Sequence, residues 1–164
     1  MTTTGRYETV VSRLITCIEA ISSSALYQTD ASDQTTLVHQ DRFTGDLEKM
    51  GKAVERRFTI SYAGGDDTGD MYQPSATEGD AYGDLLEINV YYLDAQRQTE
   101  TTLRALDDRR KIRLQIENAA NWTGASYPEG LQAVQYQGSG PLTPIAEQIQ
   151  QVTHTYLFTI VEGE

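Results

Sequence analysis

The segment that most constrains the fold lies near the end of the sequence, where Val152, His154, Tyr156, Phe158 and Ile160 alternate with Thr153, Thr155, Leu157, Thr159 and Val161. A period of two sustained this long marks a strand with one apolar face. Such a strand has to dock in a sheet and bury that face under other elements. The period recurs upstream: Phe58, Ile60 and Tyr62 alternate with Arg57, Thr59 and Ser61, and Leu86, Ile88, Val90 and Tyr92 alternate with Glu87, Asn89, Tyr91 and Leu93. A shorter strand is expected over residues 131–137 through Val134 and Tyr136, and a brief one around residues 36–40.

Elsewhere the period is helical. Over residues 6–24, Tyr7, Val11, Leu14, Ile18 and Ile21 recur at spacings of three and four, widened by Val10 and Cys17, which predicts an amphipathic helix. Over residues 104–121, Ala105, Ile112, Ile116, Ala119 and Ala120 form a second stripe with Arg109 on it. Leu103, Leu106 and Leu114 lie off that stripe, so this helix has a second apolar flank that must tuck under a loop or meet another subunit. Residues 63–84, AGGDDTGDMYQPSATEGDAYGD, read as one long loop, and residues 138–144, GSGPLTP, as a turn. The order α-β-β-α-β-β predicts an α+β fold, with an antiparallel sheet of about four strands and both helices on one face. At 164 residues the chain suits one domain, 1–164.

Catalytic signatures fail on inspection. Gly45 to Ala53 has the outline of a phosphate-binding loop, but with five residues between its glycines and Ala53 where a magnesium-binding hydroxyl belongs. Counting a calcium loop from Asp66 puts Met71 at the turn glycine and Thr77 at the bidentate carboxylate, which excludes an EF-hand and leaves a solvated acidic loop or an irregular cation site. With Cys17 the sole cysteine, neither an intrachain disulfide nor a multi-cysteine zinc site can form. Cys17 sits on the first apolar stripe, where a buried, inert thiol is expected. His39 and His154 are the only histidines, and His154 shares a strand face with Tyr156 and Phe158, a place at a core edge or an interface. The expectation is a protein that is not an enzyme and carries no cofactor or metal. Arg13 and Glu19 interrupt any leader-like apolar run, and no run approaches the roughly 20 residues of a membrane span.

Charge is more informative. Thirteen Lys and Arg against twenty-four Asp and Glu give a net −11, which disfavours a phosphate-gripping nucleic-acid binder. Residues 58–96 contain no Lys or Arg but hold Asp66, Asp67, Asp70, Glu78, Asp80, Asp84, Glu87 and Asp94, whereas Arg104, Arg109, Arg110, Lys111 and Arg113 cluster on the second helix. The plain reading is an acidic loop and a basic helix face, both exposed. The sharper one is complementarity between copies, the basic helix of one subunit approaching acidic residues of the next.

The element order, the N-terminal helix, the polar excursion at 63–84 and the strands LEINVYYLD and HTYLFTIVE together resemble tailed-bacteriophage tail terminator proteins over nearly the whole chain. This resemblance implies a homohexameric ring that caps the tail tube, stops its polymerisation and joins the tail to the head-side connector or stopper. Its partners would be further copies of itself, the tail tube protein and that connector; its place would be the tail or neck of the virion, and the host cytoplasm during assembly. DNA would pass through without specific binding, past a lumen whose carboxylates repel phosphates within about 8 Å at physiological salt. On this reading Arg104, Arg109, Arg110, Lys111 and Arg113 form the candidate subunit interface. Asp66, Asp67, Asp70, Glu78, Asp80 and Asp84 form the candidate lumen- or tube-facing loop. A neck or head-completion protein is the alternative, and a monomeric binding domain with a pocket on the Tyr156 and Phe158 face is the other.

Overall fold

The computed structural model describes residues 3–21, 36–41, 54–67, 81–93, 98–122 and 131–161. Its elements are α1 (Thr3–Glu19), β1 (Val38–His39), β2 (Arg57–Asp67), β3 (Ala81–Leu93), α2 (Gln98–Glu117), a 3-10 turn (Ala119–Trp122), β4 (Leu131–Ser139), β5 (Thr143–Ala146) and β6 (Ile149–Val161). The α+β class is as expected, but the sheet is mixed and six-stranded rather than antiparallel and four-stranded. Its order is β1-β2-β3-β6-β4, with β5 also paired to β6.

The alternating segment at 152–161 becomes the spine of this sheet. β6 pairs antiparallel with β3 from Ala81↔Val161 to Leu93↔Ile149. Its other side is shared, β4 taking Ser139↔His154 to Leu131↔Ile160 and β5 taking Thr143↔Gln151 to Ala146↔Ile149. The turn expected over 138–144 narrows to residues 140–142, because β4 runs to Ser139 and β5 starts at Thr143; β5 is four residues long and contains Pro144, which an edge position tolerates because no ladder donor is needed there. β1 lies where the brief strand at 36–40 is expected and pairs parallel to β2, through Val38 N–H to the Arg56 carbonyl at 3.1 Å and Gln40 N–H to the Phe58 carbonyl at 2.8 Å.

Two further expectations shift. The loop at 63–84 is trimmed at both ends, because β2 and β3 stay paired out to Asp67↔Tyr82. Gly and Asp are poor strand formers, but neighbouring strands impose the conformation here, with a bulge between Tyr62 and Gly64. The second helix starts at Gln98 rather than at residue 104, its first turn being too polar to show a stripe. It stops at Glu117, after which the Asn118 side chain accepts the Ala120 N–H at 3.1 Å and the Trp122 indole donates to the Ile116 carbonyl at 2.6 Å.

Both helices cover one face of the sheet, as expected. Val10, Leu14 and Ile18 of α1 and Ala105, Ile112 and Ile116 of α2 share one core with Phe58, Ile88, Val90, Tyr156, Phe158 and Ile160. Each large side chain fully buried there contributes about 1.5–3 kcal/mol. On the Tyr156 and Phe158 face Tyr136 packs 5.4 Å from the Tyr156 ring and Trp122 meets Phe158 edge-on at 6.0 Å, and a cavity of about 320 Å³ lined by Ile116, Trp122, Leu131 and Val134 lies on that side. The opposite face is polar around Asn89, and Tyr91 on it joins a small second apolar cluster with Val54 and Ile149. Asn89 donates to Thr59 Oγ1 and Ser61 Oγ and accepts from Gln151 and Thr153, a cross-strand network of four hydrogen bonds.

Candidate subunit interface

α2 presents an unusual pair of faces. Thr101, Ala105, Asp108, Ile112 and Ile116 turn inward, an arc in which two of the five are polar. Leu103, Leu106 and Leu114 turn outward and are 40, 45 and 60 % exposed. At 100° per residue these leucines lie opposite Ile112, interleaved there with Arg110, Arg113 and Glu117, so the outer side carries exposed apolar side chains among charged ones.

The polar part of the inner face is held by a buried charge network. Arg56 adopts φ 58°, in the left-handed region that a bulky residue seldom occupies, and this aims its side chain beneath the helix. Its guanidinium grips Asp108 bidentately, Nη2 to Oδ1 at 2.6 Å and Nε to Oδ2 at 3.1 Å, and the Tyr92 hydroxyl donates to the same Oδ2 at 2.9 Å. Glu55 accepts the Leu93 N–H at 2.7 Å and forms an ion pair with Arg104 at 3.4 Å. Burial pushes the Glu55 carboxyl up, opposed by the Arg104 charge, and burial with Asp108 alongside pushes the Tyr92 phenol well up. The network clamps the start of β2, the end of β3 and the first half of α2 together. Asp108 falls at helical spacing between Ala105 and Ile112, and a carboxylate on an apolar stripe is the sequence signal that could have disclosed it.

The five cations proposed for the interface therefore divide. Arg104 is turned inward to Glu55. Arg110 and Lys111 share Asp107 at 3.4 and 2.9 Å, and Arg113 pairs with Glu117 at 2.9 Å while its guanidinium lies 4.3 Å from the centre of the Tyr136 ring. Arg109 is exposed rather than on the buried stripe, and has no carboxylate partner among the described residues. Of the six acidic residues, Asp70, Glu78 and Asp80 lie outside the described residues, and Asp66 and Asp67 close β2. Asp84 is not in a loop: it lies within β3, buried, and accepts the Tyr62 hydroxyl.

His154 is fully buried beside α2. Ser139 Oγ lies 2.7 Å from its Nδ1 and Tyr136 Oη lies 2.6 Å from Ser139 Oγ, while Nε2 has no hydrogen-bond partner among the described residues. Burial first and the Arg109 charge second lower its pKa to about 4. A serine beside a histidine invites a hydrolytic reading, but an imidazole this acidic is a weak base near neutrality, and its charged neighbour is a cation rather than an orienting carboxylate. Cys17 is buried as expected, and burial pushes its thiol up. No three metal-ligating side chains converge among the described residues, and no helix of the described chain is long and apolar enough to cross a membrane. No protein-family model matches this chain, and no curated protein matches it either.

Proposed function

We propose that this is a structural virion protein that assembles as a homohexameric ring on the tail tube of a tailed phage, ends tube polymerisation and joins the tail to the head-side connector. One observation carries the reading: α2 bears three exposed leucines on the side away from its buried stripe, and only the inner side is covered by the described chain. Large apolar side chains left exposed on the outer side of a helix mark a surface that gains by being packed. The outer leucines are interleaved with Arg109, Arg110 and Arg113, which makes a surface suited to docking an acidic copy of the same chain. The carboxylates at residues 66–80 would then line the lumen, where their charge lets DNA slide without sticking.

Two measurements test this. Particles lacking the protein are expected to carry overlong tails in electron micrographs; tails of normal length detached from leaking heads would reassign it to the neck. In sedimentation the purified chain is expected to form a six-subunit species, and neutralising Arg109, Arg110 and Lys111 together to weaken that species and blunt its salt dependence. A strict monomer at high concentration, with normal tails in the deletion, overturns the reading.

A further inference from the structure

The ring reading leaves open what a neighbouring copy presents to α2. Beside the outer leucines a cavity of about 210 Å³ opens between α2 and the turn after β4, lined by Thr102, Ala105, Leu106, Arg109, Leu142 and Val152 among others. A cavity of about 150 Å³ holds a benzene ring, so this one has room for a phenol. It is apolar inside, with the Arg109 guanidinium, unpaired by any carboxylate among the described residues, as its one charged group.

The exposed large apolar side chains among the described residues are Tyr62, Leu103, Leu106, Leu114 and Ile145. Three of them stand on α2 itself. Packing α2 on α2 would set Arg109, Arg110 and Arg113 against their own copies, a like-charge juxtaposition. Ile145 follows the socket-lining Leu142 by three residues, so it cannot reach another copy's socket without bringing the two sockets face to face. Tyr62 remains. At 66 % it is the most exposed of the five, and it lies in the stretch without a single cation.

Tyr62 is also a prepared feature. Its hydroxyl donates to Asp84, and a Cβ at Gly65 would land on the Asp84 carboxylate and crowd the Tyr62 oxygen. Glycine at that position leaves the space in which the pair sits. The pair therefore offers an aromatic ring backed by a negative charge, and the socket offers an apolar recess rimmed by a positive one. Tyr62 lies on β2 and the socket borders the β4 turn, three strands away in the sheet order. Complementary patches on different parts of one subunit give a head-to-tail contact, the kind that closes into rings. Direct strand pairing is the competing geometry, but β2, which β1 covers only at Arg57 and Phe58 among the described residues, is bulged at Tyr62/Gly64, and β4 at the other edge is bulged at Leu131/Ala133 and Tyr136/Gly138, and bulges obstruct strand addition.

We infer that Tyr62 of one copy seats its ring in the α2 socket of the next, with Asp84 facing Arg109 across the contact. The inference rests on the ring reading and names the contact that builds it. The test is sedimentation of the full chain as parent, Tyr62→Ala, Tyr62→Phe, Leu106→Glu and Arg109→Glu, with folding checked by circular dichroism. Tyr62→Ala, Leu106→Glu and Arg109→Glu are each expected to weaken association about tenfold or more, and Tyr62→Phe to retain most of it. Mixing Tyr62→Ala with Leu106→Glu joins one intact socket to one intact ring, so the mixture is expected to form one-to-one dimers and nothing larger, while each variant alone stays monomeric. If the parent assembles and these variants assemble equally well, this contact is wrong and the ring stands. If the parent does not assemble, this contact falls, and the ring reading falls with it only where the deletion particles also carry tails of normal length.

Discussion

Replacing Asp108 by alanine is expected to lower the unfolding free energy by about 3–5 kcal/mol, the cost of leaving a buried charge without its partner. Arg56 is 3 % exposed and Asp108 is 3 % exposed, so water cannot take over the lost contacts without α2 lifting from the sheet. The variant strands the guanidinium from its bidentate partner and the Tyr92 hydroxyl from its acceptor at once. It also removes the carboxylate that holds Arg56 in a left-handed conformation, which by itself costs about 1–3 kcal/mol. Urea unfolding measures the loss as a shift of midpoint at unchanged slope. The diagnostic comparison is Arg56→Met combined with Asp108→Leu, which exchanges the ion pair for apolar groups and is expected to recover most of the loss. If Asp108→Ala costs less than about 1 kcal/mol, the network does not anchor the helix. In that case the exposed leucines would sit on a helix free to reorient, and the docking surface would lose its rigid support.

The same residues show why the fold was more legible than the surface that concerns function. β6 and α1 were readable because their apolar residues repeat at the strand and helix periods, and a one-sided pattern implies a sheet with helices on it. α2 was readable as a helix, but its inside and outside were not separable. Its inner arc contains Thr101 and Asp108, its outer arc contains three leucines, and periodicity alone ranks leucine as core. What turns Asp108 inward is Arg56, fifty-two residues earlier, in a segment that reads as ordinary surface charge. A pairing over that separation leaves no local trace beyond the carboxylate on the apolar stripe, which does not name its partner. β5 and the outer ends of β2 and β3 were missed for a related reason. TPIA, AGGDD and AYGD are weak strand formers by composition, and it is the ladders to β6 and between β2 and β3 that extend them. The charge contrast was visible in the sequence, but its division into an inward Arg104, a group of Arg110, Lys111 and Arg113 held by carboxylates of the same helix, and Arg109 with no carboxylate partner among the described residues depends on side-chain geometry.

His154 makes the stability of this assembly surface depend on acidity, and the sign follows from which protonation state the fold tolerates. The imidazole is ordinarily half protonated near pH 6.5, but in the folded chain burial and the Arg109 cation bring that point down to about 4. Above about pH 6.5 both folded and unfolded chains hold it neutral, and the full stability is present. As pH falls from there the unfolded chain takes up a proton that the folded chain refuses, so stability declines until the folded group also titrates near 4. The expected loss from this one side chain is about 2–3 kcal/mol between about pH 7.5 and about pH 4.5. Carboxylates titrate in the same range, and Glu55, whose pKa is raised, contributes with the opposite sign. The measurement is therefore a difference: unfolding free energies of the parent and of His154→Asn across that range. Asparagine places an amide where Nδ1 meets Ser139 and cannot ionise. The variant is expected to be less stable than the parent at neutral pH, having lost part of a well-packed ring, and to close most of that gap, or overtake the parent, in acid. A gap that stays constant with pH within about 0.5 kcal/mol would mean that His154 is hydrated or partnered in solution and its Nε2 is not sealed beneath α2.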